Sequence, residues 1–159
     1  MSSGRPAGLL LDRTAPALPT ATEETTVRTI FVNLPVTDLE RAKAFYAALG
    51  FPNNATFSDG TAAAMVVEEN VWVMLLTREK FASFVTGEVG DPAQATSAIN
   101  ALSADSRAEV DDLLARALAA GGKPWRSTDD LGFMYSTSFT DPDGNVWETV
   151  WMDPAAAQG

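Results

Sequence analysis

The sequence predicts an α+β fold built from two βαβββ modules. A strand, a helix and three further strands are indicated twice by hydrophobic period and by turn residues. The tripeptide Asn-Val-Trp at 70–72 recurs at 145–147, each time where a last strand is predicted to begin. This recurrence indicates an internal repeat and places the two modules one after the other along the chain.

Five segments follow from composition and pattern. The first 26 residues are rich in Pro, Thr, Ala and Ser without a sustained apolar period, which is typical of a flexible leader. The predicted segments are a leader (1–26), a first module (27–77), a connector helix and loop (78–95), a second module (96–153) and a tail (154–159).

The first module opens with a strand over 29–36. Thr37 and Glu40 have the spacing of a capping box, which predicts that a helix begins there. The left-handed freedom of Gly50 ends that helix. Short strands are predicted near 54–58, 61–67 and 71–76.

The connector and the second module repeat the pattern. A short helix is predicted near 78–85 and a strand near 96–103. Ser106 and Glu109 form a second capping box, and Gly121-Gly122 ends the helix that it starts. The remaining predicted strands lie near 123–127, 132–140 and 145–152.

The segment Asp141-Pro142-Asp143-Gly144 predicts the register of the last hairpin. Its residues suit a type I turn followed by a left-handed glycine, so Asp141 should face Asn145. Counting outward, Ser138 and Ser136 oppose Glu148 and Val150 on one face, while Phe139 and Tyr135 oppose Trp147 and Trp151 on the other. We expect Trp147 and Trp151 to pack against the helices, and Trp72 to do the same through the repeat. Trp125 is left unassigned.

Composition excludes several classes of function. None of the 159 residues is histidine or cysteine, which rules out disulfides, thiolate metal sites and histidine-based serine catalysis. The net charge is −10, and from residue 91 onward acidic residues outnumber basic ones by eleven to four. Such a surface disfavours nucleic acid. No apolar run approaches the ~20 residues of a membrane helix, so we expect a cytoplasmic protein.

The segments FYAALGF (45–51) and DPDGNVWE (141–148), together with the paired modules, resemble the vicinal oxygen chelate superfamily. This superfamily includes glyoxalase I, extradiol dioxygenases and bleomycin-resistance proteins. The resemblance covers roughly Thr29–Asp153. It implies curled mixed sheets that enclose a cavity, helices on the outer face and a homodimer.

Enzymes of this superfamily bind a metal at four points on the first and last strands of the modules. The resemblance places these points at Phe31, Val73 (Met74 if the register differs), Ile99 (with Asn100 adjacent) and Glu148. Three of the four are apolar, and a divalent ion needs several N or O donors. We therefore expect no metal and no cofactor. Asn33, two residues beyond Phe31, leaves a weaker alternative in which it and Glu148 touch Mg²⁺ or Ca²⁺.

These observations favour a small-molecule-binding protein without a catalytic metal, which sequesters a basic or aromatic compound as antibiotic-resistance members do. The alternative is a metal-independent lyase or isomerase with Glu148 as general base. A third class is an interaction module whose cavity is filled. The predicted ligand-binding residues are Phe31, Asn33, Val73, Ile99, Ser136, Ser138 and Glu148.

Overall fold

The computed structural model describes residues 26–156 and has the predicted α+β architecture, with two mixed sheets and three α-helices among them. The predicted leader therefore lies outside the described residues apart from Thr26, as do the last three residues of the predicted tail. The elements are β1 (Ile30–Val36), α1 (Leu39–Ala48), β2 (Asn53–Asn54), β3 (Ala62–Glu68), β4 (Val71–Thr77), α2 (Arg78–Ala82), β5 (Ile99–Ser103), α3 (Arg107–Ala119), β6 (Lys123–Pro124), β7 (Asp129–Asp130), β8 (Met134–Thr140) and β9 (Val146–Met152).

Each module contributes one sheet with the same topology. The first has the strand order β1-β4-β3-β2, and the second has the order β5-β9-β8-β6 with β7 paired to β8. The first strand of each module runs parallel to the last strand, and the remaining pairs are antiparallel. No strand pair joins the two sheets among residues 26–156, so the sheets do not close into a barrel.

Helix α1 begins one residue later than the capping box predicts. Its N-cap is Asp38, whose carboxylate accepts a hydrogen bond of 3.0 Å from the backbone N–H of Arg41. Thr37 instead donates from its backbone and its hydroxyl to Oδ1 of Asp143, at 2.9 and 2.8 Å. The prediction of Thr37 as the cap is wrong because a buried carboxylate from the second module takes both of its donors.

Helix α3 starts as its capping box predicts. The Ser106 hydroxyl accepts from the backbone N–H of Glu109, and the Glu109 carboxylate accepts from the backbone N–H of Asp105. The predicted strand near 54–58 is mostly a 3₁₀ turn over Ala55–Phe57. The predicted strand near 123–127 contracts to the two residues of β6.

The register predicted for the last hairpin is confirmed. Ser138 pairs with Glu148, Ser136 with Val150 and Phe139 with Trp147 along β8 and β9. The backbone N–H of Asp141 donates to Asn145 O at 2.9 Å, and Gly144 adopts a φ of +98° at the turn. The short loop therefore sets which side chains share a face, as counting from the turn requires.

A single hydrophobic core contains residues of both modules and of the helices α1 and α3 that pack on the sheets. The ring of Phe45 on α1 lies 6.2 Å from that of Phe139, and the ring of Tyr46 lies 6.0 Å from that of Trp147. Trp147 is only 2% exposed, which confirms the prediction that it packs against a helix. Trp151 likewise contacts the helix side, because the Arg107 guanidinium of α3 lies 5.1 Å from its ring.

Trp72 does not follow its counterpart in the repeat. It pairs with Phe31 of β1 and turns away from the core, whereas its neighbour Val73 is fully buried in the core cluster. The first hairpin carries a bulge between Val66 and Glu68 that the second hairpin lacks. The two Asn-Val-Trp copies are thus offset by one residue, and an offset of one residue reverses the face of every side chain in a strand.

Candidate functional site

Helix α1 packs on one face of the first sheet and α3 on one face of the second. The opposite face of each sheet, called the helix-free face below because neither α1 nor α3 covers it, is the candidate site. In the second sheet it carries Glu148 and Val150 of β9 and the directly opposed Ser138 and Ser136 of β8. Strand β5 adds Ala101 beside Glu148 and Ile99 beside Val146. The structure therefore brings together four of the predicted ligand-binding residues: Ile99, Ser136, Ser138 and Glu148.

Glu148 is half-buried and makes no hydrogen bond or ion pair with any described residue. The Ser138 hydroxyl, directly across the ladder, is already engaged because it accepts a hydrogen bond of 3.0 Å from the backbone N–H of Arg126. Ser136 is buried beside it. The carboxylate is thus held on a sheet, flanked by two hydroxyl-bearing side chains, with its acceptor capacity unused by the described chain.

The first sheet carries an aromatic cluster on the same type of face. The Phe31 and Trp72 rings are 6.0 Å apart, and the Phe57 and Trp72 rings are 5.8 Å apart in an edge-to-face arrangement. Phe31 is 53% exposed and Phe57 61% exposed, although both are large apolar side chains. Sequence reasoning missed Trp72 and Phe57 here, because the face of Trp72 depends on the bulge and Phe57 lies in the unexpected 3₁₀ turn.

Val73 and Asn33 were both predicted to bind the ligand, but the structure places them in different environments. Val73 lies in the core, so it is not on the helix-free face with Phe31, and Met74 takes that place beside Asn33. The correction agrees with the one-residue offset between the repeats. Asn33 is exposed, and its Nδ2 donates a hydrogen bond of 3.1 Å to Phe31 O of its own strand.

The side chains at the four points where the resemblance places metal ligands do not fit a resident divalent metal. With the observed register these points carry Phe31, Met74, Ile99 and Glu148, so a single carboxylate is the only charged donor. Among residues 26–156, no three His, Cys, Asp or Glu side chains cluster in a way that could hold a metal ion. One carboxylate beside apolar side chains and a thioether falls short of the oxygen or nitrogen set that such ions require.

A buried polar cluster connects the start of β9 to α1. Asp141 accepts hydrogen bonds from the backbone N–H groups of Asp143 and Asn145, from the Asn145 amide and from the Tyr46 hydroxyl. Burial raises the pKa of Asp141 above the usual value of 3.8, although its hydrogen bonds oppose the shift. Burial, reinforced by the Asp141 carboxylate, also raises the pKa of the Tyr46 hydroxyl. The tyrosine in FYAALGF and the acids in DPDG were the available sequence signals, but their pairing was not predicted.

Comparison with known proteins agrees with this architecture. Residues 28–149 match the family model described as Glyoxalase/Bleomycin resistance protein/Dioxygenase superfamily. The chain belongs to this superfamily. No curated protein matches the chain.

Several solved structures have the same fold. A hypothetical protein from S. aureus is 23% identical with a TM-score of 0.67, over 79% of this chain and 94% of that chain. A glyoxalase-related enzyme from Fulvimarina pelagi is 22% identical with a TM-score of 0.67, over 78% and 87% of the two chains. Lactoylglutathione lyase from Agrobacterium tumefaciens is 23% identical with a TM-score of 0.57, over 77% and 91%. At these identities the likeness concerns the fold. Within the described part of the chain, no helix is long and apolar enough to cross a membrane.

Proposed function

We propose that the protein binds a small cationic or aromatic molecule on its helix-free face without a resident metal. The observation that carries the proposal is the half-buried Glu148 carboxylate, which no described residue pairs with. A partly desolvated carboxylate without a partner is unfavourable, and a ligand cation relieves that cost. The net charge of −10 favours the approach of such a ligand.

The aromatic cluster of the first sheet supports the same ligand class. The exposed rings of Phe31 and Phe57 and the half-buried ring of Trp72 offer both apolar area and ring faces that attract cations. A protein that only sequesters its ligand needs these two kinds of contact and no reactive group. Sequestration of a basic or aromatic compound, as in antibiotic resistance, is the function that these contacts serve best.

Substitution of Glu148 by Gln tests the proposal, because it keeps the side-chain volume and removes the charge. A cationic ligand should lose about 2–5 kcal/mol of binding free energy, the range for truncating one partner of a buried charge pair. A neutral ligand should lose closer to 1 kcal/mol. Isothermal titration calorimetry with ligands from a thermal-shift screen measures both. The matched control is Glu88→Gln, an exposed acid whose side chain makes no hydrogen bond or ion pair with any described residue, which should leave affinity unchanged.

Two results would count against binding at this site. A screen of cationic and aromatic compounds that yields no thermal shift favours an interaction module with a filled cavity. Equal affinity of Glu148→Gln and the unsubstituted protein places the site elsewhere. Elemental analysis of dialysed protein tests the absence of a metal, since near-stoichiometric Ni, Zn, Fe or Mn contradicts it.

A metal-independent lyase or isomerase is the second candidate. It is favoured by the position of Glu148 opposite Ser138 and beside the buried Ser136, where a carboxylate could accept a substrate proton while a hydroxyl orients it. In that case Glu148→Gln abolishes turnover and leaves affinity largely intact. Calorimetry and a turnover assay on one variant therefore separate the binding protein from the enzyme.

We also propose that the protein is a cytoplasmic homodimer that does not bind nucleic acid. Large apolar side chains exposed on the helix-free faces, including Phe31 and Ile99, support pairing that covers these faces. Light scattering at low micromolar concentration should give twice the chain mass of 16.9 kDa. A monomer at every concentration tested contradicts the dimer.

A further inference from the structure

A cavity of about 350 Å³ lies between the two sheets. Glu148, Ser136 and Ser138 do not line it. It is lined by β1 and β5, each the edge strand of its sheet, by the connector and by the start of β9. Of the predicted ligand-binding residues only Asn33 reaches it. The volume lies within the range of small-molecule sites in proteins, about 300–1,000 Å³.

Three asparagine side chains from three different segments line this cavity. Asn100 of β5 has no hydrogen bond from either amide atom to any described residue. Asn33 and Asn145 each donate through Nδ2, to Phe31 O and to Asp141 Oδ2, which leaves their Oδ1 atoms without a partner in the described chain. These three side chains therefore offer one complete amide and two further acceptors, and Thr96 and Ser97 add hydroxyl-bearing side chains to the lining.

The remaining lining restricts the charge and shape of a ligand. Among the described residues that line the cavity, Asp91 is the only ionisable one and none is Lys or Arg, so an anion is disfavoured. Pro35, Phe81, Pro92 and Val146 supply apolar walls. A neutral ligand with an apolar body and a small polar edge fits this lining.

The Asn100 amide, which has no partner in the described chain, determines how the donor and acceptor on the polar edge of a ligand must be arranged. Its donor and acceptor lie side by side in one plane, so a partner that satisfies both must present an acceptor and a donor in the same order. An asparagine meets such an edge when it pairs with adenine in DNA. A trans peptide group places its N–H and C=O on opposite sides, whereas a cyclic amide holds them on the same side.

We propose that this cavity is a second binding site, which takes a neutral cyclic amide. Asn100 holds the ring by two parallel hydrogen bonds, and the Oδ1 atoms of Asn33 and Asn145 accept from further donors of the ligand. The apolar walls cover the ring carbons. Glu148 does not line this cavity, so occupancy of the cavity does not depend on Glu148.

Titration of the ¹⁵N-labelled full chain with the cyclic dipeptide of two alanines tests the proposal. The expected result is saturable shifts of the Asn100 and Asn145 side-chain amide signals. The N,N′-dimethylated ring has the same apolar body without donors and should bind at least tenfold more weakly. Tenfold corresponds to about 1.4 kcal/mol. Uracil presents the same cyclic-amide edge on a pyrimidine ring and is titrated in parallel. The affinities of uracil and of the cyclic dipeptide show which type of ring the cavity prefers.

Substitutions complete the test. Asn100→Ala should weaken binding at least tenfold, whereas Asn70→Ala, which removes an amide outside the cavity, and Glu148→Gln should leave it unchanged. Equal binding of the methylated and unmethylated rings overturns the proposal, and so does unchanged affinity in Asn100→Ala. The comparison of the two rings requires no variant and therefore remains decisive if Asn100→Ala does not fold.

Discussion

The Tyr46 hydroxyl donates a hydrogen bond of 2.6 Å to Oδ2 of Asp141, joining α1 to the last hairpin across 95 positions of sequence. The same hydroxyl accepts a hydrogen bond of 2.9 Å from Nε1 of Trp147. Asp143, two residues beyond Asp141, receives both donors of Thr37 at the other end of the interface. The strand that bears Glu148 is therefore anchored at its start to the helix of the opposite module.

Tyr46→Phe should destabilise the protein by about 1–3 kcal/mol, because it leaves the buried Asp141 carboxylate with one donor fewer and Trp147 Nε1 without its acceptor. Urea unfolding followed by tryptophan fluorescence measures the loss. Tyr135→Phe is the matched control, since its hydroxyl also donates to a carboxylate, that of Asp111, but at the surface. A loss in Tyr46→Phe no larger than in the control would show that the buried hydrogen bond contributes little.

Asp141 should make stability depend on pH in the direction opposite to most carboxylates. Its folded-state pKa is raised, chiefly by burial, so between 3.8 and that raised value the folded chain binds more protons than the unfolded chain. Stability contributed by this group therefore falls as pH rises through that window. Unfolding free energies of the unsubstituted protein and of Asp141→Asn, measured from pH 3 to pH 7, isolate the effect. The unsubstituted protein should lose stability relative to the variant as pH rises; a constant or opposite difference contradicts the prediction.

Trp147→Ala should cost about 3–5 kcal/mol, because it empties a buried site between Tyr46 and Phe139. That is a large share of the roughly 5–15 kcal/mol by which a domain is stable. Trp72→Ala is the control from the other copy of the repeat and should cost less, since Trp72 is only half-buried. Chemical denaturation of both variants gives the comparison. If Trp147→Ala keeps full stability and loses ligand binding, the assignment of faces is inverted.

Gly144→Ala should destabilise the protein more than Gly132→Ala. Both glycines have positive φ, +98° and +81°, so an alanine is strained at either position, by about 1–2 kcal/mol. A Cβ at Gly144 would additionally lie 2.7 Å from the Cα and N atoms of Ala93, whereas one at Gly132 meets nothing within 4 Å. The difference in unfolding free energy between the two variants measures the cost of the steric clash between a Cβ at position 144 and Ala93 of the connector. Equal losses would mean that the connector moves away freely.

Local chemistry was sufficient to predict much of this protein from its sequence. The Asp-Pro-Asp-Gly turn determined the register that places Glu148 opposite Ser138, because a short loop leaves one way to pair its strands. Ser106 and Glu109 marked the start of α3, and two strand–helix–strand patterns established the fold class. Each of these features depends on residues that are close together in the chain.

Only the tertiary structure decided the features that join distant segments. Asp143 takes the donors of Thr37 and so moves the N-cap of α1 to Asp38, and a bulge exchanges the faces expected for Trp72 and Val73. The cavity between β1 and β5 likewise assembles Asn33, Asn100 and Asn145 from three segments. The physical reason is the same in each case. Burial and hydrogen bonding determine which groups a side chain contacts, and groups that are remote in sequence come within reach only once the sheets and helices have packed.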